Sequence, residues 1–139
     1  MSRMLQMAIK SSAETCYSRF CDADRLTEWV PNLLEVEVLR RDDDALPLEV
    51  RFRVRDAGSE RSYSVLYAYD KRRRRVTWQP GSEPGYAVRG FASFDRNGPD
   101  GCRMIYSLNI GESREDNPGD GVEVATESLE AFKAWVEKG

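Results

Sequence analysis

From Leu46 to Arg55 the chain reads LPLEVRFRVR. Leu48, Val50, Phe52 and Val54 alternate with Glu49, Arg51, Arg53 and Arg55. Successive side chains of a strand point to opposite faces, so this stretch specifies a strand with one dry face and one wet face. An antiparallel sheet covered on one side is the architecture that uses such strands. Further strand-like stretches follow between Leu33 and Gly111: LLEVEVLRR, with Leu34, Val36 and Val38 against Glu35 and Glu37, then ERSYSVLYAY, RRVTWQP, GYAVRGFASF and CRMIYSLNI. Turn-rich segments (DDDALP, RDAGSE, PGSEPG, DRNGPDG) separate them. About six consecutive strands with short links predict an antiparallel meander.

Helices flank this block. After a first strand, MLQMAIKSS, the residues Ser11 and Glu14 have capping-box spacing, which predicts a helix with Cys16, Tyr17 and Phe20 on one face. Asp22 or Asp24 caps a second short helix, with Leu26, Trp29 and Val30 apolar, and Pro31 ends it. The polar ESREDNPGD is expected to be a mobile link. In GVEVATESLEAFKAWVEKG, Val122, Ala125, Leu129, Phe132 and Val136 form a helical stripe. A second stripe, Val124, Ala131 and Trp135, offers an interface for a homodimer. The expectation is one domain over residues 1–139.

Charge narrows the function classes. The formal net charge is −3, whereas nucleic-acid binders carry a basic surplus to neutralise phosphates. The exception is the run Lys71–Arg75. Placed between ERSYSVLYAY and RRVTWQP, it reads as a hairpin turn. A two- or four-residue loop (Asp70 to Arg73 in the latter) then pairs Tyr67 with Val76 and Val65 with Trp78, all on one face. Cations there stay hydrated and discourage edge association. The functional alternative is a partner-binding turn for an acidic partner, RNA phosphate or an anionic carrier protein. RNA is disfavoured because aromatics are not interleaved with the cations as stacking platforms.

The chain has no histidine and three cysteines, Cys16, Cys21 and Cys102, without a CxxC. That removes the commonest general base and the commonest metal ligand. It implies structural thiols in a reducing compartment, no metal and no cofactor. Without a signal peptide or an apolar run near ~20 residues, the expectation is a cytoplasmic protein with no membrane insertion and no nucleic-acid partner.

The order strand, two short helices, six strands, long helix is carried by IKSSAETCYSRFCDADRLTEWVPNLLEVEVL, with Asp22, Trp29 and Pro31, and by VTWQP, VRGFASF and LEAFKAWVE. In these residues the chain resembles the START/Bet v 1-like (SRPBCC) superfamily, and within it the bacterial polyketide cyclase/dehydrase-like members. The coenzyme-Q-binding members have an aromatic-Pro pair after the helix Asp; here that stretch is LTEWVP. The resemblance implies an α+β helix-grip fold: a curved seven-stranded antiparallel sheet around a long C-terminal helix, with two short helices between strands 1 and 2. It implies an apolar small molecule, lipid-, polyketide- or quinone-like, held between sheet and helix.

By parity, the residues lining that space are Val50, Phe52, Val54, Tyr63, Val65, Tyr67, Trp78, Val88, Met104, Tyr106 and Leu108. Leu129, Phe132 and Val136 close it, and Leu26, Trp29 and Val30 stand at its mouth. The alternative is a polyketide aromatase/cyclase or dehydratase using Tyr63, Tyr67 and Tyr106. By parity Arg89 faces outward, and Arg74 shares a face with Val76 and Trp78.

Overall fold

The computed structural model describes residues 4–56, 58–83, 85–111 and 118–138. The link expected over 112–120 is already helical at 118–120; residues 112–117, and the side chains of Val122, Val124 and Ala125, lie outside the described residues. The elements are β1 (Met4–Ile9), α1 (Ala13–Phe20), a 3-10 helix (Ala23–Glu28), β2 (Leu33–Arg41), β3 (Pro47–Asp56), β4 (Ser59–Asp70), β5 (Arg75–Pro80), β6 (Ala87–Arg96), β7 (Cys102–Gly111) and α2 (Pro118–Glu137). The seven strands form one antiparallel sheet in the order β1-β7-β6-β5-β4-β3-β2. Only β1 leaves sequence order, pairing with β7. The expected helix-grip architecture is present.

Local detail departs from the sequence reading at three places. The cap of α1 is Ser12, whose hydroxyl accepts from the Thr15 amide at 3.1 Å. Ser11 lies one residue too early. In β2, register shifts on either side of Leu34 bring Leu33 opposite Val54. Leu33 is buried and Leu34 is exposed, because a bulge inserts a residue and reverses the alternation locally. In the β4–β5 hairpin the turn is Lys71–Arg74, closed by Asp70 opposite Arg75. Tyr67 therefore faces Trp78, and Tyr69 faces Val76, two residues from the expected register. A shift of two leaves every side chain on its expected face. Asp70 sets this turn by accepting from the Arg73 amide at 3.1 Å, and Arg74 adopts a φ of +52°.

The concave face packs around Phe20. Its ring centroid lies 5.7 Å from Trp29, 5.8 Å from Trp78, 5.5 Å from Phe94, 6.4 Å from Tyr106 and 5.5 Å from Phe132. The last residue of α1 thus joins β5, β6, β7 and α2. Room for Trp78 comes from Gly90 opposite it, where a Cβ would run into the Ser107 carbonyl oxygen and meet the Trp78 ring at 3.0 Å. Trp135 of α2 stacks on Trp29 at 6.3 Å and donates to Glu28 Oε1 at 3.2 Å. Arg19 and Arg25 each lie 5.2 Å from its centroid. Trp135, suggested above as part of a dimer interface, is thus engaged within its own chain.

The outer face is held by charge. Arg51 pairs with Glu37 and Glu83, and Arg53 with Glu35 and Glu60. Glu49, expected to meet water, is only 4% exposed. Its carboxylate accepts from the Ser82 amide (2.8 Å), the Ser82 hydroxyl (2.7 Å), the Ser64 hydroxyl (3.3 Å) and Arg40 Nε (3.3 Å). The Ser82 amide and hydroxyl, with help from Arg40 and against the cost of burial, hold its pKa down to about 2.

Two measurements test this packing. Phe20→Ala should cost about 3–5 kcal/mol in urea unfolding, the range for removing a buried phenylalanine; a cost near zero would show that the hub is dispensable. A carboxylate with a depressed folded pKa contributes stability above its unfolded pKa and loses it as pH falls through the folded one. Stability should therefore fall between pH 4.5 and about 2. Glu49→Gln should flatten that part of the profile, and an unchanged slope would assign acid sensitivity elsewhere.

Candidate functional site

Seventeen residues were expected to line, close or stand at the mouth of a ligand space, the three tyrosines among them. Val50, Phe52 and Val54 project from β3, with Val50 opposite Val65 and Phe52 opposite Tyr63. Tyr67 of β4 faces Trp78 of β5, and Trp78 faces Gly90 of β6. Val88 lies opposite Ile110, and Met104 and Tyr106 stand on β7 opposite Phe94 and Ala92. Leu129 and Phe132 of α2 are buried with them in one apolar cluster. All seventeen belong to this core or pack against it. Trp29 is not at an opening: it is buried among Phe20, Phe132 and Trp135.

Burial is uneven along the face. On β7, Cys102 and Met104 are fully covered and Tyr106 nearly so, while Leu108 and Ile110 keep access. On β3, Val50 is fully covered and Val54 is half-exposed. On β4, Val65 is covered, while Tyr63 on one side of it and Tyr67 and Tyr69 on the other keep partial access. The covered end is the one filled by the rings around Phe20. The accessible end lies toward the β3–β4 turn and the C-terminal end of β7. There Phe52, Tyr63 and Tyr86 form a second ring cluster, with centroids 5.3 and 6.1 Å apart in sequence.

Three phenols stand on this face, with Ser128 beside Tyr106 and Arg61 beside Tyr86. Burial pushes the Tyr63 and Tyr106 hydroxyls up, and Tyr67 well up, with neighbouring phenols adding to the effect. Tyr63 and Tyr67 combine strong desolvation with retained access. That combination is expected of side chains lining a concavity rather than sealed in a core. A phenol with a raised pKa stays protonated at neutral pH and offers a hydrogen bond; it does not take a proton. The accessible end is thus an apolar wall with donors set into it.

Other sequence candidates take different places. Arg74 donates Nε to the Phe94 carbonyl at 2.9 Å and pairs with Glu14 at 3.6 Å, so it braces the β4–β5 turn against β6 and α1. Arg75 lies 4.2 Å from the Phe91 centroid, and Arg73 pairs with Asp70. Lys71 and Arg72 are exposed, and Arg89 is exposed as expected. Three of the five cations in the run therefore have partners inside the chain. Cys16 and Cys102 are buried neighbours, and Cys102 is pushed far up by its contact with Cys16 and by burial. Burial raises Cys21 to about 12, which leaves its thiol protonated. Among the described residues no group of three His, Cys, Asp or Glu could hold a metal ion. No helix among them is long and apolar enough to cross a membrane.

A separate cleft of about 500 Å³ opens beside the end of α1, lined by Tyr17, Cys21, Asp24, Arg41, Pro47 and Lys71 among others. Arg41 and Asp24 pair across it at 3.7 Å.

Tyr86 and Glu49 are the residues the sequence reading missed. Tyr86 shares parity with Val88 and could have been found by extending that alternation by one step. Glu49 could not, because its partners Ser64 and Ser82 are distant in sequence.

Comparison with solved structures gives the fold independently. A START superfamily protein from Mycobacterium smegmatis is 21% identical, with a TM-score of 0.78 over 99% of this chain and 94% of that one. The Zhui aromatase/cyclase of a Streptomyces species is 13% identical, with a TM-score of 0.80 over 99% and 94%. The di-domain aromatase/cyclase StfQ from the steffimycin biosynthetic pathway is 13% identical, with a TM-score of 0.78 over 98% of this chain and 44% of that one. No curated protein matches the chain by sequence. The family described as polyketide cyclase / dehydrase and lipid transport matches residues 5–138, and with its helix-grip fold and phenol-bearing apolar face the chain belongs to that family.

Proposed function

We propose that the protein binds an elongated apolar small molecule, of lipid, polyketide or quinone type, at the accessible end of the concave face between β3, β4, β7 and α2. The observation that carries this reading is the burial gradient. Val54, Tyr63, Leu108 and Ile110 retain access, while Val50, Val65 and Met104 on the same three strands are sealed. Apolar surface left open in a concavity is stabilised by an apolar occupant, because the occupant removes it from water. Phenol donors in the wall favour a ligand that also carries carbonyl or hydroxyl oxygens.

A second reading rests on the three desolvated phenols. In an aromatase/cyclase or dehydratase, Tyr63, Tyr67 and Tyr106 would hold ketone oxygens of a folded chain and stabilise the enolate that forms there. Removal of the proton from carbon needs a base, and raised phenol pKa values do not provide one. Binding therefore comes first among the two readings, and family membership is compatible with both.

Native and denaturing mass spectrometry of protein purified gently from its host tests the reading. An extra mass lost on denaturation and recovered in organic extract is expected. Absence of that mass, together with no saturable binding of cis-parinaric acid, would reject it. Leu108→Trp should fill the accessible end and weaken cis-parinaric acid binding about tenfold or more, with unfolding changed by less than about 1.5 kcal/mol. Unchanged affinity would place the ligand elsewhere. Replacing Tyr63, Tyr67 and Tyr106 together by Phe should leave binding of this aliphatic probe within about threefold. If the protein turns over a polyketide, the same variant should lose about a hundredfold in rate; full activity would remove the phenols from the mechanism.

A further inference from the structure

The Glu49 clasp lies on the convex side of the sheet, away from the ligand face, yet its partners belong to the connection between β5 and β6. Gly81 donates its amide to the Ser64 carbonyl at 2.9 Å. Ser82 gives both its amide and its hydroxyl to Glu49. Glu83 donates its amide to the Ser64 hydroxyl at 3.0 Å, and its carboxylate accepts from Arg51 at 2.8 Å. Gly81 has no room for a Cβ, which would run into the Ser64 hydroxyl and approach Glu49 Oε2 at 2.8 Å. Three consecutive residues are thus fixed to β3 and β4 around one buried carboxylate.

The same connection then delivers Tyr86 to the concave side. Tyr86 packs on Tyr63 at 6.1 Å, and the Arg61 guanidinium lies 5.8 Å from its ring. Tyr63 in turn packs on Phe52 at 5.3 Å. Tyr86 is three chain steps from Glu83, a span of at most about 11 Å. Fixing Glu83 therefore restricts where the Tyr86 ring can be placed.

We propose that Glu49 is a positioning residue for the ligand site: it clamps residues 81–83 from the outside and so fixes the Tyr86–Tyr63 pair that forms the site's rim. The proposal rests on the reading that the accessible end of the concave face takes the ligand. It assigns a role to the buried carboxylate that cross-strand pairing alone does not require. The neighbouring ion pairs of Arg53 with Glu35 and Glu60 hold strands together without any link to the connection.

The test uses the full chain, labelled uniformly with nitrogen-15 and with carbon-13 in the tyrosine rings for NMR, in two arms. Glu49→Gln keeps the shape and removes the charge. Without ligand, the Ser82 and Glu83 amides should exchange about tenfold to a hundredfold faster, the range that loss of a charge-assisted hydrogen bond supports. The Tyr63 and Tyr86 ring signals should shift, and the Trp78 indole signal should not. With cis-parinaric acid, dissociation from Glu49→Gln should be about tenfold faster, within that same range. Arg53→Gln, on the same face, should change neither arm. Ser82→Ala, which removes one donor, should act in the same direction with smaller size and serves if Glu49→Gln does not fold. Unshifted tyrosine signals would overturn the proposal, because the clasp would then be local. Shifted tyrosines with unchanged dissociation would overturn the positioning role. A wild type that binds no cis-parinaric acid and carries no mass lost on denaturation would overturn the ligand reading, and the positioning role with it; the ligand-free arm tells that failure from failure of the clasp.

Discussion

The packing of Phe20 against both the sheet and α2 is the contact on which the rest of the molecule depends. A curved sheet and a long helix each bury only one side, and something must fill the wedge between them. α1 supplies the filling by ending on Phe20, whose ring meets Trp78, Phe94 and Tyr106 from the strands and Phe132 from the helix. Trp29, brought in by the 3-10 helix, closes the same cluster. Interiors pack to crystal-like density, so where these rings reach there is no space for a ligand. Where they do not reach, the inner face stays accessible. The accessible part of the inner face is thus bounded by where the Phe20 cluster ends.

The two faces of the sheet are stabilised by different physics. The concave face relies on apolar area and ring packing, which are non-directional and tolerate an occupant. The convex face relies on paired charges, which are individually weak at the surface. Glu49 is the exception, since it is covered and carries several hydrogen bonds at once. Directional contacts of that kind hold a connecting segment in one place, which a layer of apolar contacts does less well.

Much of the fold was legible because strand alternation is a strong local signal. LPLEVRFRVR, ERSYSVLYAY and CRMIYSLNI each declare an inner face, and Val50, Val65 and Met104 are buried as parity requires. The errors fall where parity is interrupted. A bulge at Leu34 has no local signature, so Leu33 was overlooked. The five-cation run hid the exact turn, because every cation there is an equally acceptable turn residue, and the register moved by two without changing a face. Parity identified which residues face inward but not how far each is covered. Which of Val50 and Val54 is sealed depends on how far rings from α1 and α2 extend, and that is decided in three dimensions. Ser64 and Ser82, which make Glu49 a buried residue, are likewise neighbours only after the sheet forms.

The central claim is that the concave face is sealed at the Phe20 end and receives an apolar ligand at the other. A crystal structure with a fatty acid brominated at its terminal carbon, read by anomalous scattering, tests it most directly. A bromine peak is expected between Tyr63, Tyr67 and Leu108, with the rings around Phe20 unmoved. A peak only in the cleft beside Cys21 and Arg41, or no peak on the concave face, would contradict it.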